Sequence, residues 1–193
     1  RCFSPPDISA GLWSILSELS WTIPAHNSYI RDSEQLNEPD ISRPILDLFS
    51  CETGEILSLS VAILKPKLNP IIVKNINYAI EKRIKEPYLS YHFWWMGRKG
   101  EKLINWTPWC TQNVLLSLIF LPLEDKELQK IVKLAVSSLD WYIESFPEDG
   151  CCDEGASYYH AAGTALFGAL YILSLLDSNV NKIFLEQKLK NIA

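Results

Sequence analysis

The sequence has no excess of positive charge, no long unbroken apolar run and no repeating period, and each absence removes a class of protein. A formal net charge of −5 with a pI near 5.2 argues against a nucleic-acid binder that depends on a broadly basic surface. An anionic ligand would need a locally basic site. The longest apolar run, VLLSLIFLPL at 114–123, is too short to cross a bilayer and is broken by Pro122, so it reads as a buried helix and no membrane association is expected. The first residues lack the basic-then-apolar order of a secretory signal.

Histidine is scarce too. His26, His92 and His160 stand far apart without the spacing of an HExxH motif, and five cysteines (Cys2, Cys51, Cys110, Cys151, Cys152) show no CxxC pairs, so neither a metal nor another cofactor is expected. An odd, sparse set of cysteines reads as reduced thiols, with Cys151 and Cys152 as ordinary small residues in a turn, and leans the expected location toward the cytoplasm. The chain starts at Arg1, which leaves a periplasmic or secreted location open. Ser157 is not in a GxSxG turn, which removes one nucleophile signature.

What the 193 residues do contain is a 48% hydrophobic content, ample for a packed core. Leu128, Ile131, Val132, Ala135, Leu139, Tyr142, Ile143 and Phe146 follow the spacing of an amphipathic helix over 128–146. Similar patterns predict helices at about 9–19, 42–64, 69–86, 108–121, 157–176 and 180–191, bounded by Pro, Gly, Asp or Asn. No segment reads as a strand, so the fold class is all-α. One apolar stripe on 128–146, against helices apolar nearly all round at 110–121 and 161–176, suggests outer and inner layers, compatible with a bundle or an α/α toroid.

Three loops are richer than connections need to be. In TIPAHNSY, 22–29, Pro24 keeps Ile23 out of helix, and His26 and Asn27 follow in a turn. The segment YHFWWMGRKGEKLINWTPWC, 91–110, sets four tryptophans beside Arg98, Lys99, Lys102 and two glycines. Flat aromatic faces with polar neighbours suit sugar rings as well as a core. In FPEDGCCDEGASYYH, 146–160, four acids and two glycines precede Ser157, Tyr158, Tyr159 and His160. Asp149-Gly150 and Glu154-Gly155 are turn signals, and Ser157 or Glu154 is a candidate helix cap.

Taken together, WTIPAHN (21–27), LDLFSCETGEIL (46–57), RIKEPYL with FWWMG (83–97), NWTPWCTQNVLL (105–116) and FPEDGCCDEGASYYHAAGTALF (146–167) resemble the helical domain of the heparinase II/III-like polysaccharide lyases, in family order. The resemblance implies an incomplete α/α toroid of antiparallel helical hairpins, with residues 1–193 as part of a lyase domain whose partner β-sandwich is absent from this chain. It implies cleavage of acidic, uronic-acid-containing polysaccharides by β-elimination.

By the same resemblance Asn105 matches the asparagine that binds the uronate carboxylate, and Tyr158 the catalytic tyrosine. His26, Asn27, Trp106 and Glu154 match cleft positions that bind substrate or orient the catalytic pair. The family's histidine from the β-sandwich has no counterpart here. His160, two positions after Tyr158, falls on a different helical face and reads as structural. The family more often has Gly at position 151 and Pro at 156, where this chain has Cys151 and Ala156. A carbohydrate-binding helical module without catalysis and an α/α-toroid glycoside hydrolase, which needs two carboxylates about the scissile bond, are the alternative readings.

Overall fold

The computed structural model describes residues 5–192, except for the side chains of Pro5 and His160; Cys2 lies outside that range. Among the described residues the chain is helical and has no strand, as the periodicity predicts. It divides into two compact units: residues up to His92 with Leu116–Pro122, and Phe93–Leu115 with Leu123 onward.

The first unit holds α1 (Pro5–Ser17), α2 (Leu48–Leu64), α3 (Pro70–Ile80) and α4 (Glu86–Ser90). Helix α2 starts six residues later than its apolar pattern suggests (48 − 42), because Pro44 precedes it and Asp47 caps it. The Asp47 carboxylate accepts from the Ser50 N–H at 2.8 Å, and Ser50 Oγ accepts from the Asp47 N–H at 2.8 Å, a reciprocal pair that satisfies two helix-end donors. Ser50, Cys51, Gly54, Leu57, Ser58 and Val61 form its buried face. A Cβ on Gly54 would lie 2.7 Å from Ser117 Oγ and 2.9 Å from Ile84 Cγ1, so glycine lets these segments approach closely.

Helices α3 and α4 form one run through Pro87, joined by a π turn at Glu81–Lys85. Proline has no N–H, and its ring crowds the carbonyl four residues back; a wider turn just before it relieves both problems. The helix predicted over 69–86 therefore continues to Ser90.

The second unit contains most of α5 (Trp106–Leu118), together with α6 (Asp125–Ser145), α7 (Ala165–Leu176) and α8 (Gln187–Ile192). Helix α6 buries Ile131, Ala135, Ser138, Leu139 and Tyr142, the stripe expected from its sequence. Helix α7 follows a 3-10 turn at Ala156–Tyr158 and a π turn at His160–Thr164. It buries Ala165, Leu166, Ala169, Leu170, Ile172 and Leu173 but leaves Tyr171 and Leu175 exposed, so one of its faces looks outward despite its apolar composition. The run Ala156–Leu176 is long and apolar enough to cross a membrane by length and composition, and 53% of its apolar window is buried inside the structure; a core helix passes the same test. The segment expected as a helix at 180–191 is instead a 3-10 run, Ser178–Leu185, followed by α8, with Asp177 accepting from the Asn179 N–H at its start.

Candidate functional site

Within the second unit the acidic loop before Tyr158 is held by side chains distant in sequence, and each of its four acids has a task. Glu148 pairs with Lys188 at 3.1 Å, and Asp149 accepts from the Cys151 N–H at 3.0 Å. Asp153 pairs with Lys102 at 2.6 Å, which raises the lysine pKa, first by the hydrogen bond and then by the charge. Glu154 Oε2 accepts from the backbone N–H of Asn105 at 2.9 Å. The carboxylate suggested as a cap for the next helix is thus engaged elsewhere: the cap position is Gly155, and no side chain caps that turn.

Two glycines shape the loop. Gly150 and Gly155 both have positive φ, 76° and 87°, the region that favours glycine. At Gly150 a Cβ would lie 2.1 Å from the Asn191 carbonyl oxygen, while Asn191 Nδ2 donates to the Glu148 carbonyl at 2.7 Å. The loop is thereby seated against α8. Both Cys151 and Cys152 are free thiols, the first exposed.

Asn105 stands immediately before α5 and is only 6% exposed. Its carbonyl accepts from the Trp109 N–H at 3.1 Å, and its N–H is taken by Glu154. The backbone is therefore fixed on both sides. Trp106 follows, half-buried, at the first position of α5.

Tyr158 closes the 3-10 turn and is 53% exposed. The Glu154 contact therefore joins the Asn105 segment to a residue four positions before Tyr158 (158 − 154). Behind that contact a small cavity is lined by Lys102, Tyr142, Ser145, Cys152 and Glu154. Burial raises the Tyr142 pKa, and nearby Cys152 and Glu154 add to the rise, so this phenol stays protonated.

In the first unit His26 and Asn27 form the end of a 3-10 turn begun by Pro24. Thr22 Oγ1 donates to the Ile45 carbonyl at 2.7 Å, and the Arg31 N–H to the His92 carbonyl at 2.7 Å, which anchors the loop at both ends. His26 Nδ1 lies 2.7 Å from Asp47 Oδ2. Asn27 is 3% exposed, donates to the Asn37 carbonyl at 3.3 Å, and has a buried side-chain oxygen with no partner. It lines a small pocket with Trp21, Thr22, Arg43, Ser50 and Arg83, where the Arg83 guanidinium sits 4.7 Å over the Trp21 ring.

Sequence reasoning named Lys102 among the cations of 91–110 and counted Asp153 among the acids of 146–160 without pairing them, and it missed Asp47. Asp47 lies within a matched stretch, and a partner 21 positions away leaves no local pattern. The side chain of His160 lies outside the described residues. Among the described residues no three His, Cys, Asp or Glu side chains group as a metal site would require. No protein-family model and no curated protein matches the chain.

Proposed function

We propose that this chain is the helical part of a polysaccharide lyase that opens uronic-acid-containing polymers by β-elimination, with its helical hairpins arranged as part of an α/α toroid. The reading comes from the motif resemblance. The observation that supports it best is the 2.9 Å bond from the Asn105 N–H to Glu154, which ties a buried asparagine to the loop that leads into an exposed tyrosine.

The chemistry requires those two groups. The C5 proton of a uronate becomes acidic only when the adjacent carboxylate is neutralised, and a neutral amide such as that of Asn105 stabilises the enolate-like charge as it develops. A base must then remove the proton, and an acid must protonate the departing glycosidic oxygen. In this reading the phenol of Tyr158 does both, first as phenolate and then as phenol. His26, Asn27, Trp106 and Glu154 bind substrate or hold the pair. The proton-transfer histidine that the family takes from its β-sandwich matches no residue here, so these 193 residues alone are expected to turn over little.

The test is a set of uronate polymers incubated with the longest active form of the protein. Elimination generates a conjugated unsaturated uronate that absorbs in the ultraviolet, whereas hydrolysis does not. Tyr158→Phe is expected to abolish that signal and leave binding intact. Near-normal turnover in this variant refutes the assignment, and reducing ends released without absorbance point to a hydrolase.

A further inference from the structure

Within the second unit an open cavity of about 540 Å³ lies between α6, the 3-10 run Ser178–Leu185 and α8. That volume falls in the range of small-molecule sites, roughly 300–1,000 Å³. No residue proposed above for catalysis or substrate contact lines it. Trp141, Ile143, Ile183 and Leu189 give it apolar surface, while Asp140, Glu144 and Glu186 bring three carboxylates to it. Two lysines share the wall, Lys99 and Lys188. The Lys188 amine meets Glu148 at 3.1 Å and donates to the Glu144 carbonyl at 3.2 Å, so its charge is compensated by a carboxylate that does not line the cavity.

We propose that this cavity is a binding site for an organic ammonium ion with an apolar body, its charge held by Asp140, Glu144 and Glu186 and its body laid against Trp141 and Leu189. With Lys188 compensated, three carboxylates stand against the one remaining lysine, Lys99. A cation reduces that imbalance, whereas an anion increases it. Asp140 and Glu144 are four positions apart on α6, where like charges on one helix face repel. The effect is visible at Asp140, whose pKa is raised first by burial and then by the Glu144 charge. A cation seated beside them favours the charged form of both carboxyls.

A bare metal ion fits these walls less well. Among the described residues no three His, Cys, Asp or Glu side chains converge as coordination needs, and four apolar side chains accompany the acids. An ammonium group carried on a hydrocarbon or aromatic body uses both features, and the electron-rich face of an indole attracts a cation directly. The body fills volume that an inorganic ion leaves to water.

The test titrates three probes of similar shape and different charge into the full chain: phenethylammonium, phenethyl alcohol and 3-phenylpropionate. Calorimetry gives the affinities. Nitrogen-15 correlation spectra locate the site through the Trp141 indole, assigned with Trp141→Phe, and through the backbone signals of Ile183 and Leu189. The ammonium is expected to move all three signals and to bind about tenfold more tightly than the alcohol, the combined effect of several partly exposed charges; the propionate should bind more weakly than either. Asp140→Asn combined with Glu144→Gln is expected to remove most of that preference, and Lys99→Met to tighten the ammonium about twofold, the loss of one screened like charge. Lys99, Asp140 and Glu144 are all exposed, so the variants should fold, and thermal melts check that they do. Equal affinity for ammonium and alcohol, tighter binding of the propionate, or ammonium binding that leaves the Trp141 indole unmoved overturns the proposal. So does the failure of all three probes to bind at millimolar concentration.

Discussion

At the scale of single residues, Glu154 separates two roles that are easily confused. Its carboxylate touches backbone, the N–H of Asn105, so its loss acts through position. Glu154→Ala should lower thermal stability by about 1 kcal/mol, the worth of one partly exposed hydrogen bond, and reduce elimination more than it reduces stability. Glu154→Gln, which keeps an acceptor, should recover most of both; unfolding curves and the ultraviolet assay read the two effects separately. For Tyr158→Phe the stability change should stay within about 0.5 kcal/mol, because the ring is 53% exposed. The residue types at this site were readable from the sequence, since asparagine, tyrosine and the acids fall in dense, turn-rich segments. Their partners were not. Asp153 with Lys102 and Glu154 with Asn105 are bonds across about fifty positions, and pairing at that range follows from the fold rather than from any local period.

Among the elements, the acidic loop and α8 behave as one piece because glycine stands at their contact. Gly150→Ala meets both a positive φ of 76° and the Asn191 carbonyl, so it should cost about 3 kcal/mol, strain and overpacking together. Gly100→Ala, with φ of 81° and open space around it, should cost about 1 kcal/mol from strain alone. Equal losses in paired thermal melts would show that the α8 contact contributes nothing. The elements themselves were legible where one stripe faces the core, as in α6. Their ends were less so: α2 starts late because Asp47 holds its first turn, α4 continues past Pro87 because a π turn takes up the proline, and residues 178–185 wind more tightly than their apolar spacing implies. Hydrophobic period reports which face is buried, while hydrogen-bond register decides where a helix begins and how tightly it winds.

Over the whole molecule, two of the eight tyrosines mark the integrity of the core. Burial raises the pKa of Tyr88 and Tyr142, so in the folded chain both keep their protons beyond the ordinary range near 10. The sign follows from linkage: the unfolded chain releases these protons first, so stability is fully present below about pH 10 and declines as pH rises through it. Near-ultraviolet titration should therefore show these two phenols ionising only together with loss of helical circular dichroism, and Tyr88→Phe or Tyr142→Phe should each remove part of that late step. Ionisation of all eight in one early step, with helicity intact, would contradict the burial of both rings. The division of the chain has a consequence for how such a protein can be cut or recombined. Seven residues, Leu116–Pro122, belong with the unit that otherwise ends at His92, and Ser117 is the atom-level neighbour of Gly54 in α2. A chain cut after His92 would keep α1 to α4 with that neighbour missing, so neither unit is a cassette that a single crossover can move.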